Sequence, residues 1–154
     1  MQANYHTHTR WCKHGTGEIE DYIEEAIRKG LQEIAITEHV PHKDNLDPRR
    51  IQWEEFDTYD QALNEAVKKY EGKIREYGYE LLILGQHRSG TRREIDNFAE
   101  KGVYEMEVYA DEICRGIESG LFRFVAHPDL ALQGYPHGWD VECERIMRKI
   151  FSKC

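Results

Sequence analysis

Four short predicted strands, each closing on a histidine, constrain this chain more than any other feature. Gln2-Ala3-Asn4-Tyr5-His6-Thr7-His8 reads as a strand running into a loop. Residues 33–37 form a compact apolar strand followed by Glu38-His39, and residues 81–84 form another followed by Gly85-Gln86-His87. Residues 122–126 form a fourth, followed by His127-Pro128-Asp129. Helical spacing fills the intervals. Ile19, Tyr22, Ile23, Ala26 and Ile27 predict a helix over 18–29, with Thr16 as its cap and Gly30 as its stop. Tyr59, Leu63, Val67 and Tyr70 share one face of a helix over 54–75. Further helices are predicted over 94–99, 104–118 and 140–151, with loops over 40–53 and 90–93. The order β-α-β-α-β-α-β-α predicts an α/β fold with about four parallel strands in a single domain, residues 1–154.

Composition removes several alternatives. A 154-residue chain, 40% hydrophobic and 32% charged, can bury a core of its own. No apolar run approaches the ~18 residues a membrane span needs. Cys12, Cys114, Cys143 and Cys154 show no pairing framework, so a reduced, cytoplasmic protein is expected. A net charge of -8 disfavours a nucleic-acid partner.

The histidines carry the chemistry. His6 and His8 lie two apart on a strand, which puts both imidazoles on one face. Alone, that pair fits a half-buried strand as well as a chelate. His39, His87 and His127 change the balance, because parallel strands bring their carboxyl ends together and sites form there. His14, in the first loop, is close enough to join. Imidazoles with few carboxylates suit Zn, Mn or Fe better than Ca or Mg. Two or three such ions generate hydroxide from water and clamp phosphoryl oxygens, which suits phosphoester hydrolysis. No side chain is assigned as a base. Arg88, beside His87, is the expected phosphate ligand, and Arg10 reads better as a surface charge. Cys12 is either a thiolate ligand or a packed thiol. His42 and His137 read as solvated loop residues, and Trp11, Trp53 and Trp139 as core or rim.

His6-Thr7-His8-Thr9, Cys12-Lys13-His14-Gly15, Ile36-Thr37-Glu38-His39, Leu84-Gly85-Gln86-His87 and Ala126-His127-Pro128-Asp129 together resemble the PHP (polymerase and histidinol phosphatase) family, in particular its histidinol-phosphate phosphatase branch. The motifs occur in the family's order along nearly the whole chain. The resemblance implies a distorted (β/α)7 barrel, present here in part, with a trinuclear metal site. It implies His6 and His8 on one ion, His87 and His127 on a second, and His14 and His39 on a third. The implied activity is hydrolysis of L-histidinol phosphate to L-histidinol in histidine synthesis.

Two departures from the family pattern stand out. No strand ending in Gly-x-Glu is read between His39 and His87, where the family places a bridging Glu. The chain also stops at Cys154, before the family's closing Asp-x-His motif. Glu38, Glu105, Glu107, Asp111 and Asp129 are candidate substitutes, and no spacing selects one. Four strands cannot close a barrel, so either a second copy of the chain, as a homodimer, covers the open edges or the fold is only marginally stable. Two functions follow: a metal-dependent phosphatase acting on a small phosphorylated substrate, or a shortened metal- or phosphate-binding module with little turnover.

Overall fold

The computed structural model describes residues 2–90, 93 and 95–154. The chain divides into two compact units, with the boundary between Leu81 and Leu82.

The first unit alternates β1 (Ala3–Asn4), α1 (Ile19–Arg28), β2 (Glu33–Ala35), α2 (Phe56–Tyr70) and β3 (Arg75–Tyr77). The strands are parallel in the order β1-β2-β3, with Asn4 beside Ile34 and Ile34 beside Glu76. The predicted stripe of α1 buries Ile19, Ile23 and Ala26, and leaves Ile27 exposed. Glu18, not Thr16, caps this helix: its backbone is extended, and its N–H donates to the Asp21 carboxylate at 2.7 Å. A carboxylate there also meets the positive end of the helix dipole. On α2 the buried face is Tyr59, Leu63, Ala66 and Tyr70, an i, i+4, i+7, i+11 stripe that leaves Val67 at its margin.

The helix expected over 54–75 stops at Tyr70. Gly72 then takes a left-handed backbone, φ +77°, and the chain turns into β3. This strand was not legible, because its short run carries Arg75 and Glu76. It is held nonetheless by Ile74 in the core and by the Ile36 N–H donating to the Tyr77 carbonyl at 2.9 Å. It runs directly into Gly78-Tyr79-Glu80, so a strand ending in Gly-x-Glu is present after all.

The second unit contains β4 (Ile83–Leu84), β5 (Arg88–Ser89), β6 (Ile95–Asp96), α3 (Val103–Glu118), β7 (Phe124–Val125) and α4 (Val141–Phe151). Strands β4 and β7 are parallel, whereas β5 and β6 form an antiparallel pair. All four strands read from the sequence are therefore present, in shorter form. The helix expected over 94–99 is not: Ile95–Asp96 is a strand, and Glu94 lies outside the described residues, as do Thr91 and Arg92 of the expected loop. Buried Asn97 fixes this hairpin. Its N–H donates to the His87 carbonyl at 3.0 Å, and its amide donates to Ser89 Oγ at 3.0 Å and the Gln86 carbonyl at 3.2 Å. A side chain satisfied by a neighbouring strand outcompetes a short helix. The core of this unit packs Met106, Tyr109 and Ile113 of α3 against Ile146 and Ile150 of α4. Asp140 caps α4, accepting from the Glu142 and Cys143 N–H groups at 2.9 and 3.1 Å. No helix among the described residues is long and apolar enough to cross a membrane.

The long loop after β2 is anchored by buried Asp47. Its carboxylate accepts from the Arg49 backbone at 3.0 Å and side chain at 3.1 Å, and faces Arg50 at 3.6 Å. Burial works to raise its pKa, but the Arg49 bonds and both arginine charges override this and draw it down to about 2. An acid whose pKa is depressed in the folded state contributes stability above its unfolded value, ~3.9, and loses it as the pH falls further. The stability difference between wild type and Asp47→Asn should be constant above neutral-to-mildly acidic pH and shrink as the pH falls toward about 2. Denaturant unfolding across an acid series measures this.

Candidate metal centre

The first unit gathers four imidazoles beyond the ends of β1 and β2. The ladders there are only two or three residues long, and threonine side chains extend them. The Thr7 N–H donates to Thr37 Oγ1 at 2.9 Å, and Thr37 Oγ1 donates back to the Thr7 carbonyl at 3.0 Å. Thr7 Oγ1 donates to the Ala35 carbonyl at 2.6 Å. His6 and His8 flank the first threonine, and Glu38-His39 follow the second. The His6 and His8 Nε2 atoms face each other at 2.9 Å. With metal–nitrogen bonds of ~2.05 Å, such a pair subtends roughly 90° at a shared ion. The ring of His8 lies 5.0 Å from that of His14 and 4.6 Å from that of His39. One ring nitrogen from each of these three falls within 4.8 Å of the others.

Two residues, Cys12 and Glu38, flank the rings. The His14 Nδ1–H donates to the Cys12 carbonyl at 2.8 Å, which leaves Nε2 as the ligand atom. Glu38 is nearly fully buried. Its Oε1 accepts from the Thr9 N–H at 2.7 Å, and its Oε2 lies 3.9 Å from His8 Nδ1. Burial works to raise the Glu38 pKa, yet the polar groups of His8, Cys12 and Thr9 beside it hold it below the usual carboxylate range. Burial, and then the Glu38 charge, push the Cys12 thiol upward, so it stays protonated. His8, Cys12 and Glu38 form a second close set of donors. The chemistry of these donors, imidazoles with one ionised carboxylate, fits a divalent transition ion.

The second unit places His87 and His127 together, ring centroids 4.9 Å apart, with His87 stacked on Phe98 at 5.7 Å. His127 holds a left-handed backbone, φ +36°, a conformation in which histidine is one of the few enriched residues. Its carbonyl accepts from the Tyr109 hydroxyl at 3.2 Å and the Leu130 N–H at 3.0 Å, which fixes the turn. Arg88, on β5, is half-buried, with its guanidinium 3.7 Å from Asp96 across the hairpin. Its buried Nε makes no hydrogen bond among the described residues.

Other candidates fall outside these clusters. Arg10 pairs with Glu18 and lies over Trp11 at 4.3 Å, a surface role as read from the sequence. His137 is exposed against Tyr135, and His42 belongs to the long loop. Glu105 caps α3 at the Gly102 N–H, Glu107 pairs with Arg145 and Lys149, and Asp111 pairs with Lys149. Glu80 is exposed and accepts from the Gly78 N–H at 3.0 Å. Glu38 is thus the one sequence-nominated carboxylate within a donor set of the described residues.

The PHP domain model matches residues 4–83, just over half of the 154 residues. The chain belongs to the PHP domain family. A Schizosaccharomyces pombe protein named a probable histidinol-phosphatase is 33% identical over 90 residues, 54% of this chain and 28% of that protein. A Bacillus subtilis histidinol-phosphatase is 33% identical over 98 residues, 62% of this chain and 33% of that protein. The chain thus spans about a third of the length of the curated relatives it matches. Among solved structures, the HisK protein of Listeria monocytogenes superposes with a TM-score of 0.71 at 19% identity, covering 98% of this chain and 78% of that one. The Lactococcus lactis histidinol phosphate phosphatase, solved with Zn, L-histidinol and phosphate, gives 0.70 at 17% identity, covering 99% and 68%. These likenesses establish an α/β fold of PHP type.

Gly15 lets the loop bearing Cys12 and His14 lie against the strand end. A Cβ there would sit 2.4 Å from the His8 carbonyl oxygen and 2.5 Å from that of Thr9. Gly15→Ala should therefore cost about 1–3 kcal/mol of stability, the usual range for overpacking. Denaturant unfolding checks this, and an unchanged midpoint would show that the loop yields freely.

Proposed function

We propose that this chain is a metal-dependent phosphoester hydrolase of the histidinol-phosphatase type, converting L-histidinol phosphate to L-histidinol. The observation that carries the reading is the pair of His6 and His8 Nε2 atoms, 2.9 Å apart beside His14 and His39. The names of the relatives support the substrate. In this reading residues 1–154 are one PHP-type domain and their strands are part of a distorted (β/α)7 barrel.

His6 and His8 would hold one ion, His14 and His39 another, and His87 and His127 a further one. Zn, Mn or Fe ions, two or three in number, supply Lewis acidity toward water and the phosphoryl oxygens when bound. The protein's own share is positioning. Cys12, Glu38 and the Thr7–Thr37 exchange fix the imidazoles before any ligand arrives. Arg88, one residue beyond His87, is the candidate phosphate ligand through the exposed part of its guanidinium, which Asp96 steadies.

One observation favours a second reading, a binding module with little turnover. Glu80, the acid of Gly78-Tyr79-Glu80, is turned back on its own turn and belongs to neither donor set of the described residues.

Purified protein should hydrolyse histidinol phosphate or p-nitrophenyl phosphate only with added Mn or Zn. His127→Ala should abolish turnover. Arg88→Ala should mainly weaken substrate binding, by roughly 1.5–3 kcal/mol, the value of a hydrogen bond to a charged group. Turnover that survives a chelator would refute the mechanism, and metal-loaded protein without turnover would favour the binding module.

A further inference from the structure

We infer that Cys12 is a positioning residue for the imidazole cluster, acting through its sulfur on His8 and His39 and not as a metal ligand. The inference rests on reading that cluster as a metal centre.

Cys12 touches three of the four imidazole-bearing residues at once. Its Sγ accepts from the His39 backbone N–H at 3.0 Å and lies 3.5 Å from His8 Nδ1. Its carbonyl accepts from His14 Nδ1–H at 2.8 Å. The side chain is fully buried, so no water competes for these contacts. The imidazole of His8 is rigid, and its other nitrogen, Nε2, is the one turned to His6 at 2.9 Å. Holding Nδ1 against sulfur therefore sets the direction in which Nε2 points. An ion shared by the His6 and His8 Nε2 atoms lies across the ring from Sγ, so one ion cannot take both. Histidine ligands commonly donate their second ring N–H to such an outer partner, which fixes tautomer and orientation. Here the sulfur fills that place, with Glu38 Oε2 the next acceptor at 3.9 Å. The same atom ties the segment carrying His39 to the segment carrying His8, so ring orientation and spacing depend on one side chain.

The competing role is direct ligation, since His8, Cys12 and Glu38 are close enough to share an ion. Cobalt(II) separates the two. Wild-type protein loaded with Co(II) should show no sulfur-to-cobalt charge-transfer band in the near ultraviolet. Cys12→Ala should bind Co(II) about 10–100-fold more weakly in competition with a chelator, the usual loss when an outer partner is removed. Cys12→Ser, which keeps an acceptor, should recover most of that loss. A charge-transfer band in the wild type would overturn the inference by making Cys12 a ligand. Equal affinity in Cys12→Ala and wild type would overturn it by showing the sulfur idle. The wild-type spectrum decides ligation even if Cys12→Ala does not fold. Failure of the wild type to take up Co(II) would instead defeat the metal centre itself, and this inference with it.

Discussion

The hydrogen-bond exchange between Thr7 and Thr37 holds this site together. The ladders of β1 and β2 end at Asn4 and Ala35, so the histidines project from chain with no regular pairing of its own. Left there, each would cost conformational entropy to order, about 1–2 kcal/mol per residue for the backbone alone. The two threonines carry cross-strand hydrogen bonding past the ladder, and put His6-Thr7-His8 beside Thr37-Glu38-His39 in one register. The loop bearing Cys12 and His14 then closes on this pair of segments, because Gly15 has no side chain to keep it off.

Electrostatics explains why such a cluster is affordable. Neutral imidazoles can be packed together without mutual repulsion, whereas imidazolium groups at these distances would repel strongly in a partly buried setting. Glu38, ionised and buried among donors, places negative charge beside His8 and so favours a cation in the vicinity. The set is poised for a positive ligand. Surface ion pairs such as Arg148 with Glu144 contribute little by comparison.

The legible parts of the sequence were those where one physical signal dominated. Each short run that closes on a histidine is a strand with its histidine just past the ladder, and the α1 and α4 helices lie within a residue or two of their periodic patterns. Strand β3 carries no apolar pattern, because with β2 as its one partner it tolerates Arg75 and Glu76. The β5–β6 hairpin carries no alternating pattern to reveal it, because its register is set by Asn97, a buried polar side chain that bonds to Ser89 and Gln86. Among five nominated carboxylates, only three-dimensional pairing could single out Glu38. The nominated acids of α3, Glu105, Glu107 and Asp111, are engaged by the Gly102 N–H, Arg145 and Lys149. Cys12 had an open reading in sequence for the same reason: its neighbours lie in two other segments.

The proposed metal centre at the strand-end histidines requires that the chain hold an ion. Elemental analysis of purified protein, with a His6→Ala, His8→Ala double variant measured in parallel, tests it most directly. At least one transition ion per wild-type chain is expected, with a clear fall in the variant. Wild-type protein that folds cooperatively while holding no metal, even after incubation with Zn or Mn, would contradict it.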